Sequence, residues 1–390
     1  MELGIDRLVD NQFKSLAGAR IGLVTNFSCC DSKLVPTIEL FARQTKAELC
    51  AIFAPEHGLY AALQDQVKAG DYLDKKTKTR VSSLYGQTLM PDTDLLGKID
   101  VLVIDLQDIG TRYYTFVWSA ILMIKAAAAL EKEILILDRP NPLNGIQVQG
   151  PVLEPGYSSF VGLYAIPVRH GLTIGELCNL INDEYRLGGR IRVIRMKGWR
   201  RRYYLDETGL AWAMPSPNMP CLDTALVYPG LCLLEGTNIS EGRGTTRPFE
   251  VFGAPWIDPF DLVAAISRRN IPGAWFRPTF FIPQFGRYTG RLCKGAQIYV
   301  KDRQRFEPFS TGLEIIRTVI GLYPKRFRWR MPPYEFEKKR LPIDILCGNS
   351  WISRALENNR SVRYLNKRWE KNLKRFKRMR NKHLLYRKAS

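Results

Sequence analysis

Three features of this 390-residue sequence predict an α/β fold, with a Rossmann-like parallel-sheet N-terminal domain and a smaller α+β C-terminal domain. Up to about residue 140, continuous runs rich in Ile, Val and Leu alternate with helix-sized segments, as expected for strands buried on both faces and joined by crossover helices. Each of those runs ends, on its carboxyl side, in polar or acidic residues. Past about residue 227 the apolar runs shorten and Pro and Gly become frequent, which marks a change of architecture. We divide the chain into residues 1–227 and 228–390, with the active site expected in the cleft between the two parts.

The elements follow in order. The strand-like runs are "RIGLVTNF" (20–27), "ELCAIFAPEHG" (48–58), "DVLVIDLQDIG" (100–110) and "EILILDRPNP" (133–142), separated by helical patterns at 34–45 and 115–131. A further helix starts near Thr173, where Thr173 and Glu176 have the spacing of a capping box. "TGLAWAMPSPNMP" (208–220) reads as an extended crossing loop, because its prolines remove donors and bias their neighbours away from helix. The second part holds a helix at about 258–269, a strand at 295–302, a helix at 311–322 and a terminal helix. In that last helix Val362, Leu365, Trp369, Leu373 and Phe376 recur at helical spacing.

Composition narrows the function classes. The net charge of +20 is concentrated at the end of the chain, where residues 351–390 carry fourteen Lys and Arg against Glu357 and Glu370. That tail reads as a helix docked by its apolar stripe with a solvated basic back. A footprint for nucleic acid or anionic lipid is the alternative, and composition does not separate the two. The longest greasy stretch, residues 116–130, is interrupted by Ser119 and Lys125 and is shorter than the roughly 20 apolar residues of a span. The start is acidic and lacks an apolar signal core, and the eight cysteines show no metal or C-x-x-C spacing, so a reduced, cytoplasmic protein is expected.

Common motifs are missing. No G-x-G-x-x-G follows the first strand, Gly97-Lys98 is followed by Ile99 rather than by Ser or Thr, and there is no H-E-x-x-H and no nucleophile elbow around Ser240. Phosphate cradles, zinc-protease chemistry and esterase chemistry therefore drop in rank. What remains is carboxylates with arginines, tyrosines and amides, the equipment of acid–base work on a sugar or similar polyol.

In an open α/β sheet the ligand crevice lies outside the carboxyl ends of the strands. Asn26, Glu56 with His57, Asp105 with Asp108, and Asp138 with Arg139 all fall there, and Arg169 with His170 precede the Thr173 helix. Any one of these could instead be a turn residue or a helix cap; Asp138, inside the turn-rich "DRPNP", is the weakest, while two of the only three histidines adjoin these strand ends. Beyond the domain boundary, "LLEGTNISEGRGTTRPFE" (233–250) crowds Glu235, Asn238, Glu241, Arg243, Arg247 and Glu250 into a glycine-rich loop. It is positioned to close over the strand ends, although an internal ion-pair network is the plainer alternative, above all for Arg247 and Glu250.

Taken in order, "APEHG", "SLYG", "VIDLQDIGTRYYT", "LDRPNP", "VRHGLTIGEL", "PSPNMP" and "YPGLCLLEGTNISEGRGTTRPFE" resemble the exo-β-N-acetylmuramidases of the NamZ type, formerly a domain family of unknown function, from about residue 4 to 386. The resemblance implies an exo-acting glycosidase that releases terminal β-1,4-linked N-acetylmuramic acid from peptidoglycan fragments, with no metal or nucleotide. It marks Glu56 as the catalytic acid and Glu235 as the first choice for its partner; Asp108 and the substrate's own acetamido group are the other choices. His57, Asp105, Asp108, Arg112, Tyr113, Asn238, Glu241 and Arg243 are the substrate-binding residues it implies, and Asp138, Arg139, Asn141 and His170 join them as our further substrate-binding candidates. Muramic acid carries a lactyl carboxylate, for which Arg112, Arg139 and Arg243 are the candidate cations. A binder of cell-wall fragments without catalysis, or of nucleic acid through the tail, is the competing class.

Overall fold

A computed structural model describes residues 1–86 and 89–386. Its strands are β1 (Arg20–Val24), β2 (Glu48–Ala54), β3 (Tyr72–Leu73), β4 (Arg80–Ser83), β5 (Val101–Ile104), β6 (Glu133–Leu137), β7 (Gln149–Val152), β8 (Pro167–Arg169), β9 (Arg190–Ile194), β10 (Val251–Ala254), β11 (Ala274–Phe281) and β12 (Cys293–Val300).

Seven strands form one sheet in the order β3-β4-β2-β1-β5-β6-β9, parallel throughout except for the β3–β4 pair. The chain lays β2 and β4 on one side of β1 and then returns to lay β5, β6 and β9 on the other. The order thus reverses beside β1, where a doubly wound sheet opens its crevice. The four central strands are the four continuous apolar runs, and their middles are fully buried because crossover helices cover both faces. Phe116–Ala129 is one such helix, apolar on nearly every side, as a helix enclosed by protein must be. Ile174–Glu184 is another; the Thr173 hydroxyl accepts from the Glu176 amide and the Glu176 carboxylate accepts from the Thr173 amide, a complete capping box.

The edge strands were not visible as apolar runs. In β9, Arg190, Arg192 and their neighbours are exposed or half-buried, so polar residues interrupt the pattern. In β11, Pro278 breaks the reading of a strand, and it is tolerated because β11 lies at the edge of the antiparallel sheet β10-β12-β11. The helices Pro259–Ser267 and Pro308–Leu322 belong to this second, α+β part. The helix Leu222–Leu231 joins the two parts and crosses Pro308–Leu322 glycine to glycine. A Cβ on Gly230 would stand 1.9 Å from the Pro308 carbonyl oxygen, so only glycine fits there.

The terminal helix Val362–Arg380 docks by the expected stripe. Val362, Leu365, Trp369 and Phe376 are buried, with Trp369 edge-on to Phe309 at 5.5 Å, and Arg380 turns inward to donate to the Gly145 carbonyl at 2.8 Å. Packing therefore accounts for its amphipathicity, and most of its cations face solvent. Among the described residues, no helix is long and apolar enough to cross a membrane.

Candidate active site

Strand β2 delivers the site. Its last residues run into Glu56 and His57, and His57 takes a left-handed φ of 72°, a conformation unusual for a residue with a Cβ. The His57 Nδ1–H donates to the Leu63 carbonyl at 2.7 Å, which leaves Nε2 of the neutral ring as an acceptor; the ring stands edge-on to Phe116 at 6.3 Å. Both Glu56 oxygens accept hydrogen bonds, Oε2 from the Thr115 hydroxyl at 2.7 Å and Oε1 from the Gln66 amide at 3.1 Å.

The second part of the chain closes a cavity over this strand end. Glu56, His57, Tyr113, Glu235 and Arg243, all marked in the sequence, line it together with Asp65, Tyr114, Thr115, Tyr228, Phe249, Tyr334 and Glu335. Glu235 is buried and fully engaged. Its Oε1 accepts from Arg243 Nη1 at 2.7 Å and its Oε2 from the Tyr334 hydroxyl at 2.8 Å. Arg243 also lies 3.2 Å from both Asp65 and Glu241 and stacks over Phe249, 4.8 Å from the ring centre. One guanidinium thus meets three carboxylates, which hold its pKa well above its already high value against the effect of burial. Burial pushes Glu241 up; Arg243 opposes this and Glu235 adds to it.

The remaining marked residues are not in the cavity. Arg112 is wholly buried, and its Nη groups donate to the carbonyls of Pro151, Ile166 and Leu346 at 2.9, 3.0 and 2.7 Å; burial brings its pKa down to about 10. It cannot reach a ligand. Arg139 forks onto Asp105, with Nη2 2.7 Å from Oδ2, and Thr37 adds its hydroxyl to the same carboxylate. That pair satisfies itself inside the protein at the strand ends. Asp138 accepts from the Thr173 hydroxyl at 2.8 Å, the Gly175 amide at 2.9 Å and the Tyr386 hydroxyl at 2.6 Å, which braces the chain terminus against β6. Burial pushes its pKa up to about 7 although those donors pull the other way.

Asn141 bridges the Leu143 amide and the Leu172 carbonyl, and it fills the space beside Gly110, where a Cβ would come within 2.4 Å of its Oδ1. Asn238 ties the 233–250 loop to the backbone of Arg326 and Arg328. His170 is buried and accepts from the Leu172 amide through Nδ1, so its Nε2–H faces Asp108 Oδ2 at 3.3 Å. Asp108 also accepts from the Gly110 amide at 2.7 Å, and its Oδ1 has no hydrogen-bond partner among the described residues. Arg247 and Glu250 form an ion pair at 3.2 Å, with Thr224 donating to the other Glu250 oxygen at 2.6 Å.

Sequence reasoning missed Asp65, Tyr334 and Glu335. Glu335 is buried and, among the described residues, has one hydrogen bond, from the Tyr85 hydroxyl at 3.0 Å. Burial comes first and the Glu56 and Glu235 carboxylates next in pushing its pKa well above the usual carboxylate range. Among the described residues, no group of three or more His, Cys, Asp or Glu is arranged to hold a metal ion.

Several carboxyls drawn from both parts of a doubly wound protein, one paired with an arginine and one pushed towards its neutral form, with aromatic rings around them, are the means by which glycosidases divide acid and base roles. Comparison with known proteins narrows the class. Family models described as exo-beta-N-acetylmuramidase NamZ match in two pieces, the N-terminal one over residues 21–223 and the C-terminal one over residues 226–386. The peptidoglycan beta-N-acetylmuramidase NamZ of Bacillus subtilis (strain 168) is 42% identical over 386 residues, which cover 99% of this chain and 91% of that one. Two crystal structures of DUF1343 family proteins from Bacteroides fragilis are also similar. One has a TM-score of 0.89 at 33% identity, covering 99% of each chain; the other has 0.74 at 26%, covering 100% of this chain and 99% of that one. The chain belongs to the NamZ exo-β-N-acetylmuramidase family.

Proposed function

We propose that the cavity is the catalytic site of an exo-acting glycoside hydrolase that releases terminal β-1,4-linked N-acetylmuramic acid from peptidoglycan fragments. The observation that carries the assignment is the meeting of Glu56, from the end of a parallel strand, with Glu235 and Arg243, from the 233–250 loop, around one cavity. Glu235, held by Arg243 and Tyr334, faces the positive charge that develops at the anomeric carbon. Glu56 is the second catalytic carboxyl. Hydrogen bonds to both of its oxygens suit a group that takes a proton from water better than one that gives a proton away.

Of the three arginines considered for the lactyl carboxylate, only Arg243 lines the cavity. Its Nε has no hydrogen-bond partner among the described residues, so a donor is left for that group even with the Asp65 carboxylate 3.2 Å away. Tyr228 and Phe249, 4.8 Å apart and edge-on, supply an aromatic wall for the sugar. The test is release of 4-nitrophenol from 4-nitrophenyl β-N-acetylmuramide. Turnover of this compound with the corresponding glucosaminide inert supports the reading. Binding of muramic-acid fragments without any turnover would establish the non-catalytic class instead.

A further inference from the structure

The cavity and an adjoining surface groove meet at one carboxyl. Glu335 lines both, with Glu56, Glu235 and Tyr334 on the inner side and Gln66, Lys68, Tyr85 and Phe336 on the outer. It stands at the tip of a two-residue turn. Tyr334 and Glu337 exchange backbone hydrogen bonds of 2.9 Å, and between them Glu335 and Phe336 take φ values of 46° and 66°. Asn and Gly adopt that left-handed pair readily, whereas a Glu and a Phe there are strained, and strain held at the rim of a cavity points to use.

The turn is fixed from two sides. Tyr334 donates to Glu235 at 2.8 Å and Tyr85 to Glu335 Oε2 at 3.0 Å, while Tyr85 and Phe160 meet the Phe336 ring edge-on at 5.4 and 6.2 Å. Phe336 remains 42% exposed and floors the groove.

Hydrogen bonding separates the three glutamates. Glu235 is committed to Arg243 and Tyr334, and Glu56 to Thr115 and Gln66. Glu335 Oε1 has no hydrogen-bond partner among the described residues. Burial and the facing carboxylates Glu56, Glu235 and Asp65 favour its neutral form, against the Tyr85 hydrogen bond. An exo-acting site seats the terminal sugar at the closed end, so the bond to be cut lies at the mouth, where Glu335 stands.

Building on the glycosidase reading above, we propose that Glu335 is the catalytic acid, protonating the oxygen of a leaving sugar that occupies the outer groove against Phe336. The Glu335 proton passes to the glycosidic oxygen as its bond to the anomeric carbon breaks, and the electron pair of that bond stays with the oxygen. Water delivers its hydroxide to the anomeric carbon and its proton to Glu56, and proton exchange with solvent then restores the Glu56 carboxylate and the Glu335 acid. The donor role that the motif suggests for Glu56 thus passes to a residue from the other part of the chain.

A leaving-group comparison tests this. A sugar hydroxylate needs protonation to depart, and 4-nitrophenolate does not. Glu335→Gln should therefore lower kcat/KM for the disaccharide N-acetylmuramyl-β-1,4-N-acetylglucosamine by about 10²- to 10⁴-fold and leave 4-nitrophenyl β-N-acetylmuramide within about tenfold of wild type. The descending alkaline limb of the pH–rate profile should vanish on the disaccharide. Equal losses on both substrates, or no loss on the disaccharide, would overturn the assignment. If Glu335→Gln does not fold, Glu335→Asp is read in the same way, a loss confined to the disaccharide supporting the acid and an equal loss overturning it. A wild-type enzyme inactive on both substrates would overturn the glycosidase reading itself, which keeps the two failures distinct.

Discussion

Two groups of strand-end carboxylates in this molecule were candidates for the site. At the ends of β5 and β6, Asp105 meets Arg139 and Thr37, and Asp138 meets Thr173, Gly175 and Tyr386. At the end of β2, Glu56 faces a cavity and meets carboxylates from the far part of the chain. Both groups are buried and both lie where an α/β sheet opens its crevice. They differ in completion: the first group finds its partners inside the protein, whereas the second gathers more carboxyls than its single arginine can neutralise. An uncompensated surplus of charge, held at a cavity, is what a substrate and a proton can resolve.

The largest expected effect separates the two groups by activity. Glu56→Gln should lower kcat on 4-nitrophenyl β-N-acetylmuramide by about 10²- to 10⁴-fold with the melting temperature close to wild type. Asp105→Asn should do the reverse. It leaves the buried Arg139 guanidinium without its counter-charge, which costs about 3–5 kcal/mol of stability by denaturant titration, with per-molecule activity of the folded fraction retained. Arg243→Lys is expected to be smaller. A compact ammonium cannot fork between Glu235 and a substrate carboxylate, so KM should rise by about 10- to 100-fold while the chain still folds.

The last effect is one of pH. The folded-state pKa of Asp138, about 7, lies above its ordinary value of 3.8, so the folded protein binds the extra proton between those values. Its contribution to stability is therefore complete below about pH 4 and is lost as the pH rises towards 7. Relative to Asp138→Asn, wild-type stability should fall across that interval and then level off; a difference independent of pH would contradict the assignment.

The central sheet was legible because strands buried on both faces leave unbroken apolar runs, and β1, β2, β5 and β6 lie within the four segments read that way. Edge strands such as β9 mix arginines into the run and leave no such mark. At the site, Glu56, His57, Glu235 and Arg243 could be found from strand ends and a crowded loop. Asp105, Asp138 and Asn141 carry the same local signals, and only tertiary partners 34, 35 and 31 residues away show that they are satisfied internally. Glu335 lay hidden for the opposite reason. "PPYEFEKK" reads as an exposed, charged turn, and its burial depends on Tyr85, 250 residues distant. The aromatic residues on either side of that glutamate were the one local hint.

The contrast between the two carboxylate groups is tested most directly by assaying Glu56→Gln and Asp105→Asn side by side on 4-nitrophenyl β-N-acetylmuramide, with melting temperatures recorded for both. The account predicts a folded, inactive Glu56→Gln protein and a destabilised Asp105→Asn protein whose folded fraction still turns over. A Glu56→Gln protein with wild-type kcat would contradict it.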